Sequence, residues 1–189
     1  QITVTINDLS GITASITAQT NVLCNGDATG SVTVTASGSV APYTYSTDGI
    51  NFTTNNTFNG LAAGVYTITA KDDNGCEFPV NVTITEPAAL GGSITAQTNV
   101  LCNGDATGSV TVAGANGTAG YTYSLDGGTT TQISGTFNGL SAGGITVTVV
   151  DANGCTFDVP VTITEPAALG GSITAQTNVL CNGDATGSV

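Results

Sequence analysis

The chain contains no histidine, arginine, methionine or tryptophan, and Lys71 is its one cation among 189 residues. Without an imidazole a nucleophile lacks its usual base, and without a guanidinium an oxyanion lacks its usual partner, so the composition points away from an enzyme. The paired carboxylates Asp72 and Asp73 do not restore that option, because a second copy of the segment reads Asp151-Ala152 and has lost half of the dyad. Thirteen acidic residues give a formal charge of -12, which repels nucleic acid and anionic lipid. No run approaches the roughly 18 apolar residues of a membrane span, and no charged-then-apolar leader precedes Gln1. This segment is therefore expected to be soluble and not inserted in a membrane, with any export signal lying elsewhere. Charged residues make up only 7% of the chain, so solubility must rest on Thr, Ser, Asn and Gly. Disorder does not fit, because 40% of the residues are apolar and the β-branched ones are evenly spread.

What the chain does have is self-similarity. The segment Ser15 to Val32, SITAQTNVLCNGDATGSV, recurs letter for letter at Ser93 to Val110 and at Ser172 to Val189. A longer block beginning VTITEPAALGG is identical from Val82 and from Val161. A unit of about 80 residues can enclose one small sandwich core and is longer than most solenoid repeats. The organisation expected is residues 1–8 as the last strand of a preceding repeat, 9–87 and 88–166 as two full repeats, and 167–189 as the first part of a third.

Within a repeat the hydrophobic period is two, the signature of half-buried strands. Val32, Val34 and Ala36 alternate with Thr33 and Thr35, Tyr66, Ile68 and Ala70 with Thr67 and Thr69, and Phe78, Val80, Val82 and Ile84 with Asn81 and Thr83. The second copy keeps the inward set as Ile145, Val147, Val149, Phe157, Val159, Val161 and Ile163. Strands are expected at roughly 15–22, 31–36, 42–47, 56–59, 65–71 and 77–85, with a short seventh near 51–54. Asn74-Gly75 and Asn153-Gly154 read as tight hairpin turns, as do Asp48-Gly49 and Asp126-Gly127. Pro79 and Pro160 fall on outward positions of the last strand and lack a donor, so they belong at an edge or a bulge. The fold class expected is all-β, tandem immunoglobulin-like β-sandwich modules. The run Leu61 to Tyr66 resembles the tyrosine corner of such sandwiches, although the second copy has Ile145 in place of Tyr66.

Five cysteines sit in two repeated contexts, LCNGD (Cys24, Cys102, Cys181) and NGC (Cys76, Cys155). With no histidine, disulfides are favoured over metal ligation, and disulfides imply an oxidising compartment. Three schemes are open, with free buried thiols as the alternative to any of them. Cys24 with Cys76 and Cys102 with Cys155 would staple each repeat internally and is placed first. Cys76 with Cys102 and Cys155 with Cys181 would close a hairpin hinged near Ala89. Cys24 with Cys155 would weld successive modules.

No cofactor is expected. Calcium is the alternative, with Asp27, Asp72, Asp73, Asp105, Asp151 and Asp184 as its candidate ligands, set against the plainer role of Asp in capping turns. Asn51, Asn55, Asn81 and Asn116 head N-x-T sequons and are the candidate glycosylation sites, beside sugar on the hydroxyls of 35 threonines. Tyr43, Tyr45, Tyr121 and Tyr123 could stack on carbohydrate, or lie half in the core with their hydroxyls outward. Lys71 invites an isopeptide bond, but its counterpart is Val150.

The ordered series CNGDATGSVTV, PYTYSTDG or YTYSLDGG, TFNGL, an Ala-Gly corner, DxNGC and VTITEP resembles the SprB-type repeat of large cell-surface gliding adhesins of Bacteroidota. The resemblance covers both repeats. It implies export by the type IX route to the cell surface and a structural or adhesive role as stalk or filament, with neighbouring copies of the repeat as partners. The alternatives are a carbohydrate-binding adhesin module that takes surface glycans, or an accessory β-module of a secreted hydrolase.

Overall fold

The computed structural model of the protein describes residues 11–189. The strand expected over residues 1–8 lies outside the described residues. Among the described residues twelve strands divide equally between two sandwiches. The first holds β1 (Thr13–Thr20), β2 (Gly30–Ser37), β3 (Thr44–Ser46), β4 (Thr57–Leu61), β5 (Gly64–Lys71) and β6 (Glu77–Ile84). The second repeats the order as β7 (Gly91–Thr98), β8 (Gly108–Ala115), β9 (Thr122–Ser124), β10 (Thr136–Leu140), β11 (Gly143–Val150) and β12 (Thr156–Ile163). Each sandwich packs one antiparallel sheet, ordered β1-β2-β4 or β7-β8-β10, on another, ordered β3-β5-β6 or β9-β11-β12.

The alternation read from the sequence decides what lies between the sheets. In the first sandwich Val32, Val34 and Ala36 of β2 meet Ile68 and Ala70 of β5, Val82 and Ile84 of β6, and Tyr45 of β3. In the second, Val110 and Val112 meet Val147, Val149, Val159, Val161, Ile163 and Tyr123. The two cores share no residue, so each sandwich buries its own apolar face. Burying a Val or Ile side chain contributes about 1.5–3 kcal/mol, and this is the main force holding each unit. Outward threonines hydrogen-bond across strands, Thr33 with Thr57 at 3.0 Å and Thr111 with Thr136 at 3.0 Å, which lets a nearly uncharged surface stay ordered.

Two glycines are set by close approach. A Cβ at Gly30 would stand 2.7 Å from both Ile84 Cγ2 and the Leu61 carbonyl, and at Gly108 2.8 Å from Ile163 Cγ2 and the Leu140 carbonyl. Pro79 and Pro160 lie on β6 and β12, edge strands as expected.

Three details differ from the sequence reading. The seventh strand near 51–54 is a single bridge, Tyr45 with Thr53, because the loop that carries it is held by side-chain bonds to Asp48. The Asn-Gly turns are three-residue loops in which only the glycine has positive φ, 86° at Gly75 and 84° at Gly154, so the asparagine is free for another task. Phe78 and Phe157 stay 37% and 39% exposed although they follow the inward alternation. Beside Phe157 the opposite sheet offers Gly92, with Ala14 at the same place in the first sandwich, and these side chains are too small to cover a ring.

The tyrosine corner is present: the Tyr66 hydroxyl donates to the Ala62 carbonyl at 3.0 Å. In the second sandwich Ile145 packs against the core at that position. After β12, residues 164–189 carry one bridge, Thr177 with Ser188, and no longer strand.

Candidate functional site

The site is the junction between the two sandwiches. Its first half is the LCNGD loop between β1 and β2. Asn21 accepts from the Thr85 amide, and the Val22 amide donates to the Thr85 carbonyl at 3.0 Å, which fastens the loop to the end of β6. Asn25 Nδ2 donates to the Pro87 carbonyl at 3.0 Å, and the Gly26 amide donates to Glu86 Oε2 at 2.7 Å. The loop therefore grips the first residues of the EPAALGG connector. The second copy repeats every bond: Asn103 to Pro166 at 3.1 Å, Gly104 to Glu165 at 2.7 Å, and Val100 to Thr164 at 3.0 Å.

The other half is the DxNGC hairpin, here between β11 and β12. Asp151 Oδ1 accepts from the amides of Asn153 and Cys155, each at 2.9 Å, and Oδ2 accepts from the Thr118 amide at 2.9 Å. These bonds fix the turn and aim its cysteine outward. The carboxylate is buried, and its bonds to amides supply the compensation that a buried charge requires. The first copy is built alike: Asp72 accepts from the Cys76 amide at 2.7 Å and from the Ser39 hydroxyl. The Ser39 bond foremost, with the turn amides behind it, holds the Asp72 carboxyl below its ordinary range against the opposing effect of burial.

The halves meet covalently. Cys24 and Cys155 form a disulfide with Cα atoms 5.7 Å apart, at a sequence separation of 131. Asn153 Nδ2 donates to the Leu23 carbonyl at 2.9 Å and to the Thr118 hydroxyl at 2.9 Å, so the asparagine of the turn bridges the two modules. The connector is clamped from the far side as well. The Gly117 amide donates to the Ala88 carbonyl at 3.0 Å, and Leu90 packs against the second core.

This corrects the pairing placed first, Cys24 with Cys76 and Cys102 with Cys155. Cys24 lies beside the end of β6 and Cys76 precedes its start, so the eight residues of that strand separate them. At about 3.3 Å per residue this is some 25 Å, far beyond the span of a disulfide. The hairpin scheme, Cys76 with Cys102 and Cys155 with Cys181, is likewise not formed: Cys76, Cys102 and Cys181 are free thiols and exposed.

Of the calcium candidates, Asp72 and Asp151 are spent on their own turns, while Asp27, Asp73, Asp105 and Asp184 are exposed. Among the described residues no three of His, Cys, Asp and Glu gather into a metal-binding group. Asn51, Asn55, Asn81 and Asn116 are all exposed. Asn51 Nδ2 donates to Asp48 at 2.7 Å and Asn55 Nδ2 to the Thr57 carbonyl at 2.7 Å. Tyr45 and Tyr123 are buried, their hydroxyls accepting from the amides of Ala36 and Gly114 at 3.1 Å each, and the Tyr43 and Tyr121 hydroxyls donate to the Ser39 and Asn116 carbonyls. The four do not form an open stacking strip. Lys71 pairs with Glu77 at 2.7 Å and lies over the Phe52 ring.

Sequence reasoning missed Asn153, Asn25 and Glu86 as junction residues. The available signal was the verbatim recurrence of NGC, LCNGD and EPAALGG, three segments that turn out to touch one another.

The fold and the junction define a class: an all-β protein of tandem immunoglobulin-like sandwiches linked covalently. The family model of the SprB repeat matches residues 16–52 and 94–130, one stretch in each sandwich, so the two sandwiches are similar to that repeat. No curated protein matches the chain. Among solved structures, the three N-terminal domains of the highly immunogenic outer capsid protein of bacteriophage RB49 are 17% identical with a TM-score of 0.44, covering 82% of this chain and 58% of that one. The N-terminal eight immunoglobulin domains of Down Syndrome Cell Adhesion Molecule are 11% identical with a TM-score of 0.39, over 84% of this chain and 25% of that one. The fibronectin(III)-like modules of Clostridium thermocellum CbhA are 15% identical with a TM-score of 0.33, over 81% of this chain and 95% of that one. These likenesses concern the fold alone. No described helix is long and apolar enough to cross a membrane.

Proposed function

We propose that the chain is a segment of an extracellular, non-enzymatic stalk or filament in which each sandwich is bonded to its neighbour so that tension bypasses their cores. The observation that carries this reading is the Cys24–Cys155 disulfide. A pull applied to the chain ends reaches Cys24, crosses the sulfur bridge to Cys155 and leaves, so the stretch between them, a sequence separation of 131, carries little of the load. Both halves of the bridge stand on short loops braced by amides and a carboxylate, which limits the slack at the joint. An oxidising compartment suits both the bond and the cell-surface setting that the SprB resemblance implies.

Single-molecule extension of the oxidised chain tests it. The stretch between the two cysteines should stay locked, and a reductant should release an added contour of about 460 Å, taking about 3.5 Å for each residue. Equal extension with and without reductant would defeat the proposal.

A further inference from the structure

We propose that the second sandwich carries a binding cleft for a lysine side chain of a partner polypeptide, floored by Tyr123, Leu125 and Phe137 and edged by Asp126. The inference goes beyond the stalk reading and does not depend on the disulfide. The cleft lies between β9, the loop that follows it and β10, and holds about 350 Å³. Ligand clefts span ~300–1,000 Å³, so this one admits a single long side chain and no folded segment. Its walls are braced before anything enters. The Tyr123 hydroxyl accepts from the Gly114 amide at 3.1 Å, and the Tyr123 backbone exchanges hydrogen bonds with Gln132 at 2.8 and 2.9 Å. Gln132 Nε2 in turn donates to the carbonyls of Ser134 at 2.6 Å and Thr136 at 3.0 Å. A site held in this way loses little freedom on binding.

The loop departs from the first copy at the places that shape the cleft. Leu125 stands where the first sandwich has Thr47, and Thr131 where it has the half-buried Phe52. Asp48 is saturated by its own loop, accepting from the Ser46 hydroxyl at 2.7 Å, the amides of Ile50 and Asn51 at 2.8 Å each, and Asn51 Nδ2 at 2.7 Å. Asp126 accepts from the Ser124 hydroxyl and from the Thr130 amide at 2.9 Å, both on Oδ1, and Thr130 replaces the two-donor amide of Asn51 with one hydroxyl. A carboxylate has about four acceptor positions, so Asp126 keeps capacity for a donor in the cleft it lines. Charge then names the occupant. An anionic edge above an apolar, aromatic floor suits an ammonium on a hydrocarbon stem, whose methylenes bury against Leu125 and the rings while the head meets the carboxylate. A saccharide fits less well, because the Gln132 amide nitrogen is spent within the loop and Leu125 and Phe137 offer its hydroxyls no partner. The first sandwich makes this kind of contact internally: the Lys71 ammonium lies 3.7 Å from the centre of the Phe52 ring and 2.7 Å from Glu77. The counterparts of those three residues are Val150, Thr131 and Thr156, so the second sandwich has a carboxylate and rings without a cation. Lys71 is already paired, and the lysine that fills the cleft comes from a partner.

The test titrates the whole isotope-labelled chain with Nα-acetyl-lysine methylamide and reads its amide signals. Salt is kept at about 0.15 M, where attraction beyond about 8 Å is screened. The signals of residues 123–137 should move to saturation with a dissociation constant on the order of 1 mM, while those of residues 44–58 in the first sandwich stay in place. The norleucine analogue, which keeps the stem and lacks the charge, should bind about tenfold more weakly, and Asp126→Asn should weaken the lysine compound by the same factor. Leu125→Thr restores the residue of the first sandwich and leaves the carboxylate and its loop bonds in place, and it should weaken binding about fivefold through lost apolar burial. Equal shifts in both sandwiches, the mark of a cation drawn to a chain of charge -12, would overturn the inference. So would the absence of any shift, or binding of the norleucine analogue or of methyl glucoside as tight as that of the lysine compound.

Discussion

Breaking the junction by Cys24→Ser should lower the stability of the first sandwich while leaving its core untouched. With the bridge in place, an unfolded first sandwich is still tied at Cys24 through Cys155 and at the connector near residue 90, which closes a loop of some 67 residues. The loop-closure relation gives about 4 kcal/mol for a loop of that length, and measured disulfides usually contribute about 2–4 kcal/mol. For a unit of this size the urea dependence is about 1 kcal/mol per molar, so the midpoint of the first transition should fall by about 2–4 M. Far-UV circular dichroism is the suitable probe in a chain with no tryptophan. Cys155→Ser should produce the same shift, and the double variant should add nothing to either. A midpoint unchanged within about 0.5 M, or additive single variants, would refute the loop argument.

Other expectations follow from single contacts. Ile68→Ala empties a fully buried site between the sheets and should cost about 2–5 kcal/mol in equilibrium unfolding, while Val65→Thr on the exposed face of the same strand should change stability by less than about 0.5 kcal/mol. Gly108→Ala drives a methyl into Ile163 and the Leu140 carbonyl and should cost about 1–3 kcal/mol by the same measurement, a backbone clash that repacking cannot relieve. Tyr66→Phe removes the corner bond to Ala62 and should cost about 0.5–1.5 kcal/mol, confined to the first sandwich because the second has Ile145 there. The Asp126 carboxyl, held by the Ser124 hydroxyl first and the Thr130 amide next, lies at about 2 against an ordinary 3.8. Its folded value is depressed, so its stabilising effect is complete above pH ~4 and is lost as pH falls through about 2. The amide signals of residues 124–130 should shift with that midpoint, and Asp126→Asn should remove the titration.

Much of the fold was legible because strand faces are set locally. Val32, Val34 and Ala36 alternate with threonine, the inner face of a sheet must be apolar, and the glycine turns mark where strands end. Phe78 and Phe157 break the pattern because exposure at a strand's end depends on what the opposite sheet supplies. That is a long-range fact which the period of one strand does not contain. The junction was legible only in parts. The cysteines declared themselves as disulfide partners and welding of successive modules was among the schemes, but spacing along the chain does not tell which pole of a sandwich a loop occupies. The deciding geometry is the length of β6, which carries Cys76 away from Cys24, and the clamp of Asn25 and Gly26 on the connector, which turns the next hairpin toward Cys24. The role of Asn153 was hidden for a related reason: an Asn-Gly pair reads as turn chemistry, and its side chain is free for the neighbour only because glycine alone takes the positive φ.

Mapping the disulfide in the oxidised chain tests the central claim most directly. Cleavage after acidic residues releases Cys24 in the peptide LSGITASITAQTNVLCNGD and Cys155 in ANGCTFD, both distinct from the peptides that carry the other cysteines. Mass spectrometry without reductant should find these two joined. Finding Cys24 joined to the NGCE peptide of Cys76, or carrying an alkylated thiol, would contradict a covalent weld between successive sandwiches.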